Sequence, residues 1–140
     1  IWTGSQEIYF ACTSGGAKKA GQIWRYVPSP HEGTAREKDH PGTLELFIEP
    51  NDTKLLRNAD NLTIAGSGDL IVCEDHGGSP CRLVGVTPEG QLYLLARNQL
   101  NTEFAGVCFS PDGSTLFVNL QKPGLTVAIS GNWNDRKQSS

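Results

Sequence analysis

Methionine is absent from the 140 residues, so the chain lacks a start of its own and reads as a stretch cut from something longer. No apolar run approaches the ~18 residues of a membrane-spanning helix, which sets the membrane aside as a partner. No secretory leader is visible. A surplus of positive charge is missing too: 12 Lys and Arg face 15 Asp and Glu, for a net charge of −3. Nothing here would draw a nucleic-acid backbone, so that partner class is excluded. Charged residues make up only 19% and hydrophobic residues 37%, the balance of a globular chain and not a disordered one. Cysteine is scarce and badly spaced for zinc. Cys12, Cys73, Cys81 and Cys108 make no CxxC pair, and His76 stands at no zinc-finger distance from them. Free, mostly buried thiols are expected, with a Cys73–Cys81 bridge across a hairpin as the alternative in an exported protein.

What the sequence does have is punctuation. Sixteen Gly and eight Pro interrupt short apolar runs, and no helical period is sustained anywhere. Strands are predicted at residues 8–12, 22–27, 44–48, 62–65, 69–74, 83–87, 91–96, 107–109, 116–120 and 125–129. Gly66-Ser67-Gly68, Pro88-Glu89-Gly90 and Pro111-Asp112-Gly113 supply turns between them. Residues 29–42 are polar, carry both signs of charge and read as an exposed excursion, with His31 and His40 at the surface. Residues 50–58 form the other long connection, and the polar tail after residue 132 is expected to fray. The fold class is all-β.

A repeat organises these strands. Ile8-Tyr9-Phe10-Ala11-Cys12, Leu70-Ile71-Val72-Cys73-Glu74 and Leu116-Phe117-Val118-Asn119-Leu120 are buried strands running on towards a Gly (Gly15-Gly16, Gly77-Gly78, Gly124). Each follows a polar turn, the first being Gly4-Ser5-Gln6, and each precedes a second apolar strand. The steps from Ile8 to Leu70 and from Leu70 to Leu116, 62 and 46 residues, suit four-stranded propeller blades, the longer one holding the polar insert. The runs at 62–65 and 107–109 are then innermost strands beside a channel. The chain becomes one partial β-propeller of about three blades: 1–58 with insert 29–42, 59–102, and 103–133, followed by a flexible tail, 134–140. Its end blades need covering by the remaining blades of a longer chain or by a second copy.

Ligands of propellers bind where innermost strands begin. Asp60-Asn61 and Glu103 precede the two inner runs, and oxygen donors converging from neighbouring blades suit Ca²⁺. For Asp60-Asn61 a turn satisfying its own backbone is the alternative. Glu74-Asp75 ends an otherwise apolar strand, and a carboxylate there needs a partner or a metal. His76 reads as a loop residue, a ligand or a general acid. Cys12 aligns with Glu74 in the repeat; it is either a soft ligand for iron or a small buried residue. Arg97 and Lys122 could meet phosphate or lie solvated. Trp24, Tyr26, Phe47, Tyr93, Phe109 and Phe117 are expected in the core.

Several runs, in order, carry a resemblance: Gly21-Gln22-Ile23-Trp24-Arg25-Tyr26, Ala59-Asp60-Asn61-Leu62, Asp69-Leu70-Ile71-Val72-Cys73-Glu74-Asp75, Leu83-Val84-Gly85-Val86-Thr87-Pro88-Glu89-Gly90, Ala96-Arg97-Asn98, Glu103-Phe104-Ala105-Gly106 and Phe109-Ser110-Pro111-Asp112-Gly113. They resemble the C-terminal part of the PhoX alkaline phosphatases, from about residue 8 to 133. The resemblance implies a six-bladed, exported, periplasmic or secreted bacterial hydrolase of phosphate esters that uses Ca²⁺ and Fe³⁺. It implies metal roles for Asp60, Glu74 and Glu103, with Asn61 beside them. A Glu-Gly pair of the family, ahead of Ile1, is not in this chain, so the piece alone is expected to be inactive. A calcium-dependent lactonase or arylesterase propeller and a purely binding propeller are the rival readings, since propellers host many functions.

Overall fold

Period-two alternation of β-branched and aromatic residues between Gly- and Pro-rich turns yields ten strands in the computed structural model, which describes residues 7–77 and 80–134. The expected turn at Gly4-Ser5-Gln6, the repeat position at Gly78 and residues 135–140 of the tail lie outside the described residues. Strands β1 (Ile8–Cys12), β2 (Gln22–Val27) and β3 (Thr43–Ile48) form one antiparallel sheet in that order. β4 (Ala59–Ile64), β5 (Leu70–Glu74), β6 (Arg82–Val86) and β7 (Leu92–Arg97) form the second; β8 (Phe104–Phe109), β9 (Thr115–Leu120) and β10 (Leu125–Ser130) the third. All neighbours are sequential hairpins, so each sheet is a meander. β4 lies against both β1 and β8.

The second sheet is the centre of the molecule. All five residues of β5 are buried. Leu70 and Val72 pack with Tyr9, Ile23, Ile48 and Leu56 on one face. Ile71 and Cys73 pack with Phe104, Val107, Leu116 and Val118 on the other. Two cores therefore separate three layers, and among the described residues only the central sheet is covered on both faces. The flanking sheets are not: Ile8, Phe10, Leu44 and Leu46 of the first, and Phe117 of the third, are exposed. The cross-strand pairs Ile8↔Tyr26, Phe10↔Trp24, Trp24↔Leu46 and Tyr26↔Leu44 put these residues on one apolar face.

Several expectations need correction. Trp24 and Tyr26 are only half-buried on that open face, and Tyr93 and Phe117 are exposed, because no layer of the described residues covers them. Tyr93 lies across Gly85, where a Cβ would stand 2.0 Å from its ring, and donates to Asp69. All four cysteines are free, but only Cys73 and Cys81 are buried; Cys108 is exposed and Cys12 half-buried. The insert holds a short 3-10 turn, Glu37–Asp39, the one helical element among the described residues. β4 and β8 begin three residues earlier than the apolar runs suggest, with register shifts between Ala59 and Leu62 and between Ala105 and Cys108. In each, three steps on the inner strand face two on its neighbour, a β-bulge, the device that re-aims side chains beside functional sites.

Candidate functional site: an acidic pole on the inner strands

One end of the three sheets gathers most of the polar residues singled out above. Thr13 follows β1, Asp60 and Asn61 sit on the bulge of β4, Asp75 follows β5, Glu103 precedes β8 and Gln121 follows β9. Asp60 Oδ1 accepts from Thr13 Oγ1 at 3.3 Å and Oδ2 from Asn61 Nδ2 at 2.9 Å. Asn61 Oδ1 in turn accepts from the Gly106 amide on the bulge of β8. Gly106 has φ +61°, the left-handed backbone that a residue without Cβ adopts at no steric cost, and this turns its N–H towards Asn61. The two bulges thus lock the two inner strands together at the site.

Asn58 fixes the entry to this end. Its φ of +52° is a left-handed conformation that asparagine tolerates better than most residues. The side chain donates to Thr13 O and Lys19 O, and its carbonyl accepts from the Asp75 amide at 2.9 Å. First and second sheets are therefore pinned at the point where Asp60 begins.

Charge at this end is out of balance. Glu103 shares a hydrogen bond with Asp75, and this contact, then burial, then the negative charges of Asp75 and Asp60, push its pKa up to about 7; Gln121 pulls slightly the other way. A carboxyl raised by other carboxylates marks a place short of positive charge. Cys73 lies near enough to feel Asp60 and Glu103, but burial above all pushes its thiol up to about 12. It is a neutral thiol at physiological pH and so no thiolate ligand.

Glu74 behaves differently from its neighbour. Its carboxylate is fully buried and meets the guanidinium of Arg82 through Nε at 2.8 Å and Nη2 at 2.5 Å. The Arg57 and Arg82 amides donate to it at 2.8 and 2.9 Å, and His76 Nε2 stands 3.5 Å away. Of the two things a buried carboxylate requires, a partner or a metal, the fold supplies the partner. Arg82, whose pKa the bond to Glu74 raises, was not among the residues the sequence pointed to. Arg97 is exposed at the end of β7, on the outermost strand of the sheet whose innermost strand carries Asp60.

The donors at the pole are all oxygens, the chemistry of a hard cation. Yet among the described residues no group of three His, Cys, Asp or Glu side chains stands close enough to hold one metal ion. Asp75, read with Glu74 as one acidic strand end, is joined at the pole by Asn58, Thr13 and Gln121, which had not been singled out. Asp75 carried the clearest signal, an acid directly after a buried strand, and in the repeat it aligns with Thr13 and Gln121.

The sequence profile described as Alkaline phosphatase PhoX matches residues 1–124. The chain belongs to the PhoX alkaline phosphatase family. No curated protein and no solved structure gives a match. The match spans all the residues of the acidic pole and every strand up to β9. No helix among the described residues of this PhoX-family chain is long and apolar enough to cross a membrane.

Proposed function

We propose that this chain supplies about three blades of a PhoX-type propeller that hydrolyses phosphate esters with bound Ca²⁺ and Fe³⁺. The observation that carries the reading is the family match over residues 1–124, taken with the under-compensated carboxylates at the inner-strand pole. In this reading blades 1–58, 59–102 and 103–133 are successive wedges of a six-bladed ring. The remaining blades, or a second copy, cover the open face of Ile8, Phe10, Leu44 and Leu46, which would otherwise leave large apolar side chains in water. Asp60, Asn61 and Glu103, joined by Asp75, contribute part of the cation ligands, and other blades contribute the rest. Bound cations supply charge neutralisation of the phosphoryl oxygens. The protein's own residues hold the site in shape: Asn61 and Gly106 tie the inner strands together, and Asn58 keeps Asp75 in place. Export to the periplasm or beyond follows from the family reading.

The complete protein, purified without chelators, tests this by elemental analysis alongside turnover of a phosphate monoester and of a lactone. Calcium with iron near stoichiometry, and turnover of the phosphate ester alone, is the expected result. Residues 1–140 by themselves are expected to show none. Lactone turnover without phosphate-ester turnover, or the absence of metal, would overturn the reading.

A further inference from the structure

The same end of the central sheet carries a second feature of opposite charge. Arg57, His76, Arg82 and Arg97, with Thr53 and Pro80, line a pocket of about 220 Å³. Three of the six arginines in a chain of net charge −3 thus meet in one place. Arg82 is fixed there. Its Nε and Nη2 bind Glu74, Nη2 also reaches Thr53 O at 3.0 Å, and Nη1 donates to Lys54 O. That ion pair accounts for one positive charge. The guanidiniums of Arg57 and Arg97 have no acidic partner among the described residues. The β6–β7 register also sets Arg82 directly opposite Arg97, so both side chains leave the ladder on the same side and Glu74 answers only one of the two charges.

We propose that this pocket binds an oxyanion of the phosphate class. Arg57 and Arg97 would hold it, with Arg82 and His76 as an immobile wall. The planar guanidinium fork matches phosphate oxygens in pairs, which a lysine does not. A water's share of liquid volume is about 30 Å³, so the pocket takes a phosphoryl group with room for part of an ester. It is separate from the acidic pole, because successive residues divide between the two: Asp75 meets Glu103, while Glu74 and His76 face Arg82 and the pocket. The proposal does not rest on the phosphatase reading, since such a pocket binds phosphate whether or not anything is hydrolysed.

Calorimetric titration of the protein with inorganic phosphate, in a chelating buffer that strips any metal from the acidic pole, tests it. A saturable site is expected that persists at about 0.15 M salt, where diffuse surface attraction is screened. Arg57→Gln and Arg97→Gln should each weaken it about tenfold, the effect of one charge-assisted bond. Arg36→Gln, in the exposed insert, should leave it unchanged as the control for net charge. A parallel titration with methyl phosphate distinguishes the sources: tighter ester binding marks a substrate subsite, and tighter inorganic phosphate a product or free-phosphate site. Absence of saturable heat, loss at 0.15 M salt, or undiminished binding in a folded Arg57→Gln/Arg97→Gln variant would overturn the proposal. Loss of phosphate-ester turnover with phosphate binding intact would instead count against the phosphatase reading alone.

Discussion

Glu74 and Asp75 are neighbours at the end of one strand, yet they live in opposite electrostatic worlds. Glu74 points into the protein and meets a guanidinium and two backbone amides. Asp75 is exposed and faces another acid, Glu103, with Asp60 near enough to add its repulsion. One carboxylate is complete without any ligand, and the other belongs to a group that would gain from a cation. Alternation along a strand's end is enough to produce this, since successive side chains leave on opposite sides. The difference also warns against reading an acidic pair as one site.

The most direct way to break the comparison is to remove Glu74. Glu74→Ala leaves the Arg82 guanidinium without its counter-charge and two amides without their acceptor. Breaking a buried ion pair from one side costs about 3–5 kcal/mol. Urea unfolding followed by circular dichroism should show a loss of that order, whereas Asp75→Ala should cost far less. Equal losses at the two positions would mean that Glu74 is not the structural carboxylate its bonds describe.

A smaller effect sharpens the point. Arg82→Met alone strands the Glu74 charge, but Glu74→Gln combined with Arg82→Met removes both charges. The double variant should therefore be more stable than the sum of the two single losses, by about 0.5–3 kcal/mol, the usual range for contacting residues. Additive losses in the urea midpoints would show that the pair is not coupled. Some loss remains in any case, because Arg82 also tethers the 50–58 connection through Thr53 O and Lys54 O.

The repeat made the fold legible in the sequence. β1, β5 and β9 are the three strands that align in it; β5 and β9 each stand second in their sheets, beside β4 and β8, and β1 forms the edge of the first sheet. Pro111-Asp112-Gly113 is a turn as its chemistry dictates, with Asp112 held down to about 2 by Ser110 and Ser114. What could not be read was which polar residue meets which. The bulges that draw Asp60 and Asn61 into β4, and aim the Gly106 amide at Asn61, are register events, invisible to an alternation pattern. The Glu74–Arg82 pair spans a hairpin of unpredictable register, so only the need for a partner was visible, not its identity. Burial of the aromatics failed for a related reason. A strand's pattern shows which face is apolar, but not whether another layer covers it, as Trp24 and Tyr26 demonstrate.

The mildest perturbation addresses the other half of the comparison through pH. In the metal-free protein Glu103 has its pKa raised to about 7, well above the ordinary carboxylate value. The folded state therefore holds a proton that the unfolded chain has already released, and between about pH 4.5 and 7 it binds more protons than the unfolded state. By linkage, stability falls as pH rises through that window, and the penalty stays constant above it. Glu103→Gln removes the charge and keeps the shape. It should unfold at a higher urea concentration than the parent protein at pH 8, with the advantage shrinking towards pH 4. Calcium added at pH 8 should narrow the gap by compensating Asp60, Asp75 and Glu103 in the parent protein, and should do so less in the variant. A gap that is the same at pH 4 and pH 8 would mean that Glu103 and Asp75 do not share a proton.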